Sequence, residues 1–94
     1  MGLNKTLARK RMENETTYMF EIYKMNVSEF GIEFDSQKIV HNLDSQSHAF
    51  KQLRKGDKIV AVNGIKCNTF YDILLLVRFT KESAIFSIYR DLSI

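Results

Sequence analysis

One cysteine and two histidines, Cys67, His41 and His48, are the side chains best suited to covalent or metal chemistry. A thiolate beside an imidazole can act as a nucleophile, and both groups also bind zinc. No catalytic motif surrounds any of the three, and their spacing is not that of a metal site. The sequence therefore predicts no enzymatic activity, no catalytic residue, no metal site and no cofactor.

Glycine and cysteine usage narrows the class of protein further. The four glycines lie far apart, at positions 2, 31, 56 and 64, so no glycine-rich phosphate loop is present. A single cysteine cannot form an internal disulfide, which favours a reducing compartment. The basic N-terminus is not followed by the apolar stretch of a signal peptide, and no apolar run is long enough to cross a bilayer. We therefore expect a cytoplasmic protein.

The positive charge of the chain is concentrated at its N-terminus. The formal net charge is +3, yet residues 1–12 hold four of the 14 Lys and Arg residues and none of the 11 Asp and Glu residues. The remaining residues carry a net charge of −1. This distribution predicts a flexible basic tail over residues 1–16 and no nucleic-acid partner, because nucleic-acid binding needs a basic face on the fold. The cations of the tail are Lys5, Arg9, Lys10 and Arg11.

The tail also carries a lipidation pattern. Its first six residues, MGLNKT, fit the M-G-x-x-x-[ST] motif for myristoylation of Gly2, although so short a motif also arises by chance. An acyl chain followed by basic residues can hold a protein stably on a membrane. A membrane-surface module led by this tail is therefore an alternative function.

Hydrophobic periodicity predicts the elements of the folded part. Apolar and polar residues alternate from Thr17 onward, which indicates strands. An apolar run at 59–62 predicts a central strand, because both of its faces are apolar. The longer helix is predicted over 69–79, with Asn68 as its N-cap and Asp72 in its first turns. The other predicted strands lie at 17–23, 30–35, 38–43, 65–67 and 84–89, and a short helix lies at 45–52.

This order of elements predicts one domain over residues 17–92, followed by a C-terminal end at 93–94. The domain should be mostly β with two α-helices. Its five to six strands should form a mostly antiparallel, partly open barrel or sandwich, and the two helices should cover the open sides.

The segment LRKGDKIVAVNG, residues 53–64, has specific turn residues on both sides of a short apolar strand. Gly56-Asp57 can make a tight turn into the strand. Asn63-Gly64 suits a type I′ hairpin turn out of it. This segment closely resembles the fourth-strand signature of PDZ domains.

Two further features support the resemblance, which covers roughly residues 17–91. Upstream, Glu29-Phe30-Gly31-Ile32 looks like the family's carboxylate-binding loop, usually Gly-Leu-Gly-Phe. A strand precedes this loop, as in metazoan-type PDZ domains, and the long helix begins shortly after Asn63-Gly64, where the family places its groove helix. The resemblance implies a PDZ-like fold that binds C-terminal peptides of partner proteins by strand addition to the second strand.

The resemblance also assigns the carboxylate-binding residues. The backbone N–H groups of Phe30, Gly31 and Ile32 would bind the terminal carboxylate of the peptide. Lys24 would approach that carboxylate through water. Glu29 replaces the usual first glycine of the loop, which brings a negative charge near the carboxylate.

The groove for the peptide side chains would be formed by Ile32, Phe34, Phe70, Leu74 and Val77. Phe70 matches the position where many family members have a histidine that binds a Ser or Thr hydroxyl of the ligand. A phenylalanine cannot accept that hydrogen bond, so the expected ligand ends hydrophobic-x-hydrophobic-COOH. Such a module would act as a scaffold or adaptor in signaling.

Other interpretations of the same residues remain open. The apolar groove residues could be plain core, and the chain could be a regulatory PDZ fragment of a protease. The sequence Leu92-Ser93-Ile94 itself matches the expected ligand type, so head-to-tail self-association is a further expectation.

Overall fold

The structure is a computed structural model that describes residues 15–92. The predictions on Gly2, on most of the basic tail and on Ser93 and Ile94 therefore lie outside the described residues. Strand β1 begins at Glu15, so two residues assigned to the tail by sequence belong to a strand. The strands are β1 (Glu15–Tyr23), β2 (Ile32–Phe34), β3 (Val40–Leu43), β4 (Lys58–Val62), β5 (Ile65–Lys66) and β6 (Ser83–Asp91), and the helices are α1 (Ala49–Gln52) and α2 (Phe70–Arg78).

The strands form two antiparallel sheets that meet at one corner. The larger sheet has the order β1-β6-β4-β5, and β2 pairs with β3 in the smaller one. The sheets are joined where Ile39 bridges to Lys58 and where the N–H of Val40 donates to the carbonyl of Asp57 at 2.8 Å. The predicted class, mostly β with two helices in a partly open antiparallel arrangement, is confirmed. Among residues 15–92, no helix is long and apolar enough to span a membrane.

The core lies between the large sheet and α2. Alternation places Ala84, Phe86 and Ile88 of β6 on the inner face, where each is buried. Ile59 from β4 and Ile73 from α2 are also buried against this face. Each large apolar side chain removed from water in this way stabilises the fold by about 1.5–3 kcal/mol.

The turn after β4 has the predicted type I′ geometry. Asn63 and Gly64 have φ values of 52° and 78°, and Val62 pairs directly with Ile65 across the two-residue loop. The side chain of Asn63 has a second role, because its Oδ1 accepts a 2.8 Å hydrogen bond from the N–H of Ile85 in β6. The turn is thereby fixed to the neighbouring strand.

The turn before β4 contains a buried carboxylate. Asp57 is 1% exposed, and its two oxygens accept hydrogen bonds of 2.9 and 2.8 Å from the Nε and an Nη of Arg90 in β6. The N–H of Arg54 donates to the same carboxylate at 2.7 Å. The guanidinium lies 4.8 Å from the ring centroid of Tyr18 and 5.6 Å from that of Phe20. Hydrogen bonding to Asp57 raises the pKa of Arg90, so its guanidinium stays charged.

The N-cap of α2 is Thr69, and the prediction of Asn68 was wrong by one residue. Thr69 has an extended backbone, and its Oγ1 accepts from the N–H of Asp72 at 3.3 Å. The Oδ2 of Asp72 accepts in return from the N–H groups of Thr69 and Asn68, at 3.0 and 2.8 Å. Thr69 is the N-cap rather than Asn68 because Asp72 follows Thr69 by three residues, and only that spacing completes a capping box.

The charge on Asp72 should make the stability of this domain depend on pH in the acid range. Hydrogen bonds from the N–H groups of Thr69 and Asn68 hold the pKa of its carboxyl below the usual 3.8. A depressed folded-state pKa gives stabilisation that is complete above pH 3.8 and lost as the pH falls through the folded-state pKa. We expect Asp72→Asn to unfold in less urea than the wild type at neutral pH, with the difference shrinking in acid. An equal difference at both pH values would contradict this assignment.

Candidate functional site

A cavity of about 300 Å³ opens between β2 and α2. The structure brings most of the sequence-predicted site residues together around it. Those that line the cavity are Glu29, Phe30, Gly31, Ile32, Phe34, Leu74 and Val77. Its size is at the lower end of the range for pockets that bind small ligands.

One wall of the cavity is the free edge of β2. Within residues 15–92, this strand pairs only with β3, through the register Ile32↔Leu43 and Glu33↔Asn42. The carbonyl of Gly31 accepts from the N–H of Asp44 at 2.9 Å and so points toward β3. Hydrogen-bonding direction alternates along a strand, so the backbone groups of Ile32 and Phe34 point to the opposite, unpaired side.

The loop before β2 leaves two successive backbone donors without an acceptor. Within residues 15–92, the N–H groups of Phe30 and Gly31 have no hydrogen-bond partner. The loop itself is held in shape, because the N–H of Met25 donates to the carbonyl of Glu29 at 2.9 Å. Successive free N–H groups next to a residue with positive φ, here Gly31 at 78°, can bind an anion.

Gly31 is the tightest point of this loop. A Cβ built on it would lie 2.6 Å from the Cβ of Ser47 and 2.9 Å from the Sδ of Met25. Ser47 is buried and cannot move freely, since its Oγ donates to the carbonyl of Asp44 at 2.7 Å and accepts from the N–H of Phe50 at 3.1 Å. The loop can therefore approach Ser47 this closely only with glycine at position 31.

The two charged residues predicted for the loop have local partners. The carboxylate of Glu29 accepts from the side-chain amide of Asn26 at 3.1 Å. The ammonium of Lys24 donates to the carbonyls of Thr80 at 2.8 Å and Val27 at 3.2 Å, and it lies outside the cavity lining. Lys24 thereby connects the loop to the segment that follows α2.

The apolar residues of the groove differ in burial. The side chain of Phe30 is 4% exposed and packs edge-to-face on Phe86, so it also belongs to the core. Leu74 is 47% exposed and is the most accessible of the predicted groove side chains in the cavity lining. Phe70 shares the helix face of Leu74 but lies one turn before it, outside the cavity lining, with its ring 4.2 Å from that of Tyr71.

Several residues that line the cavity were not identified from the sequence. Phe86 could have been, because strand alternation places it on the inner face of β6. The others come from loop closure and cross-strand pairing, which leave no local pattern. They are Met25, Ser28, Glu33, Asn42 and Asp44.

The cysteine and the two histidines each have a different hydrogen-bond partner in the structure. Cys67 is buried, and burial raises the pKa of its thiol. The Nε2 of His41 lies 2.6 Å from a carboxylate oxygen of Asp35, and the Nδ1 of His48 accepts from the N–H of Tyr23. In the described part of the chain, no three His, Cys, Asp or Glu residues are grouped so as to hold a metal ion.

The comparison with solved structures identifies the fold. No protein-family model matches the sequence, and no curated protein matches it. The PDZ domain of SHANK1 from a choanoflagellate, solved bound to a GIRK3 peptide, superimposes with a TM-score of 0.74 at 20% sequence identity. The match covers 85% of this chain and 98% of that domain. The chain therefore has a PDZ-like fold.

Proposed function

We propose that this domain is a protein–protein interaction module that binds the C-terminal peptides of partner proteins. The proposal rests on one observation: within residues 15–92, the edge of β2 is unpaired beside a partly apolar cavity, and two backbone N–H groups of the preceding loop have no acceptor. The choanoflagellate SHANK1 domain of the same fold was solved with a peptide. A scaffold or adaptor role would follow from such binding.

The groove would engage the peptide in three ways. The backbone groups of Ile32 and Phe34 would pair with an added antiparallel strand. The N–H groups of Phe30 and Gly31 would donate to the terminal carboxylate. The last side chain would enter the cavity against Leu74 and its neighbours, where burying it contributes about 1.5–3 kcal/mol.

Titration with labelled peptides ending hydrophobic-x-hydrophobic, each as free acid and as C-terminal amide, tests the carboxylate contact. We expect the acid to bind at least about tenfold more tightly, because hydrogen bonds to a charged group contribute about 1.5–3 kcal/mol. Equal binding of acid and amide would exclude carboxylate recognition. Failure of every free acid, including those with Ser or Thr two residues before the end, would overturn the proposal.

Two adjacent leucines of α2 provide a matched pair of variants. Leu74 lines the cavity and is 47% exposed, whereas Leu75 is 54% exposed and lies outside that lining. We expect Leu74→Lys to weaken binding of the free-acid peptide by about tenfold or more, since a charge would enter the side-chain pocket. Leu75→Lys should leave binding unchanged. Equal losses in both variants would show that the peptide does not use this cavity.

The ligand preference depends on Phe70. Because it lies one turn before Leu74, Phe70 would contact the ligand residue two positions before the C-terminus of the peptide. Its apolar ring would favour a hydrophobic side chain at that ligand position. A peptide array varying that residue should rank hydrophobic residues above Ser and Thr. Phe70→His should move the preference toward Ser and Thr. An unchanged ranking would show that Phe70 does not contact this ligand residue.

A further inference from the structure

A second cavity, of about 340 Å³, lies at the β4–β5 hairpin and shares no lining residue with the peptide groove. Three lysines line it: Lys38, Lys58 and Lys66. The other residues that line it include Ala61 and Tyr89. The peptide-binding proposal does not use this cavity.

The sheet fixes the three lysines in one place. Lys58 pairs with Tyr89 across β4 and β6, and Lys66 pairs with Ala61 across the hairpin. The carbonyl of Lys38 accepts from the N–H of Ile59 at 2.9 Å, which brings the loop after β2 to the same site. The lysines thus come from three separate segments whose backbones are hydrogen-bonded together.

The charge of this cavity is not balanced by acids. Residues 15–92 contain ten Lys and Arg and ten Asp and Glu, so three of the ten cations lie around one cavity. Among residues 15–92, no carboxylate lines the cavity and none of the three lysines forms an ion pair. The ammonium of Lys38 donates to the carbonyl of Cys67 at 2.9 Å, which leaves two of its N–H groups for a ligand. Asp72 interacts electrostatically with Lys38, but it lies outside the cavity lining and its carboxylate accepts hydrogen bonds from two backbone N–H groups.

We propose that this cavity binds a phosphorylated small molecule or headgroup with two phosphate groups. A concave site with one sign of charge concentrates counter-ions, and lysine is a common phosphate ligand. A phosphate monoester carries about −1.5 to −2 charges at neutral pH, so two of them balance three ammonium groups. The same chemistry is offered by soluble phosphorylated molecules and by the headgroups of phosphorylated inositol lipids.

The test uses the full chain with two probes, which are pyrophosphate in solution and vesicles that contain phosphatidylinositol bisphosphate. Backbone amide NMR should show pyrophosphate-dependent shifts at Ala61, Cys67 and Asn68, which line the cavity. We expect the double substitution Lys58→Met and Lys66→Met to weaken pyrophosphate binding by at least about tenfold. Lys81→Met, which removes an exposed lysine elsewhere, should change binding less than twofold, a difference of about 0.4 kcal/mol.

A charge-conserving variant separates binding from folding. Lys58→Arg with Lys66→Arg should retain binding of pyrophosphate, whereas a loss there would show that the site does not act through charge. If the double Met variant binds the vesicles more weakly than the wild type does, the lipid headgroup is a source of the ligand. If the wild type binds pyrophosphate but not the vesicles, the ligand is a soluble molecule. The proposal is overturned if the double Met variant binds both probes as the wild type does, or if the wild type binds neither.

Discussion

Gly31→Ala is expected to lower the free energy of unfolding by about 2–4 kcal/mol and to abolish detectable binding of a free-acid peptide. The backbone at Gly31 has a φ of 78°, which costs energy for any residue with a Cβ. The added Cβ would also meet the buried Cβ of Ser47 at 2.6 Å. The loop must therefore shift, and the N–H groups of Phe30 and Gly31 would shift with it. Urea denaturation and peptide titration measure the two effects.

Gly64→Ala is the control for this prediction. Gly64 has the same φ of 78°, yet a Cβ built on it would have no neighbour within 4 Å among residues 15–92. Its substitution should cost only the backbone strain, about 1 kcal/mol, and should leave peptide binding intact. Equal destabilisation by the two substitutions would show that the contact with Ser47 is unimportant.

Arg90→Met is expected to destabilise the domain by about 3–5 kcal/mol, because it leaves the carboxylate of Asp57 buried without its counter-charge. The loss is a large part of the total stability of a small domain, which is about 5–15 kcal/mol. It arises from two hydrogen bonds to Asp57, a third to the carbonyl of Gln52 at 3.1 Å, and the stacking of the guanidinium on Tyr18 and Phe20. Thermal and urea unfolding measure it directly.

An exposed arginine supplies the control for the substitution itself. Arg78→Met, at the end of α2, should change the free energy of unfolding by about 0.5 kcal/mol or less. A double-mutant cycle then isolates the pair. Asp57→Asn with Arg90→Met should cost clearly less than the sum of the two single substitutions, because neither charge remains buried alone. Additive costs would mean that Arg90 stabilises the fold through its packing on Tyr18 and Phe20 rather than through Asp57.

The sequence predicted the elements of this fold that depend on interactions between residues close together in the chain. The alternation around Phe86 and Ile88 gave β6, and Asn63-Gly64 gave the hairpin, because period-two burial and positive φ act within a few residues. The short helix was predicted over 45–52 but begins only at Ala49. The preceding residues form a turn instead, in which the side chain of Asp44 accepts from the N–H of Gln46 at 2.8 Å.

The elements that the sequence did not predict depend on distant partners. Asp57 and Arg90 are 33 residues apart, and Asp57 was identified only as a turn residue. The strand predicted from Phe30 begins at Ile32, because the positive φ of Gly31 interrupts the extended backbone. The lysine cavity was missed for the same reason, since Lys38, Lys58 and Lys66 meet only through sheet pairing.

Because Cys67 is buried, the reactivity of its thiol can be used to measure local opening of this domain. The residue is 1% exposed, its thiol donates to the carbonyl of Ile65 at 3.6 Å, and burial raises the pKa of that thiol. A thiol-alkylating reagent should therefore react only during moments when β5 or the start of α2 separates from the rest. Since Cys67 is the single cysteine of the chain, the alkylation rate measures the opening frequency of this corner without any engineered label.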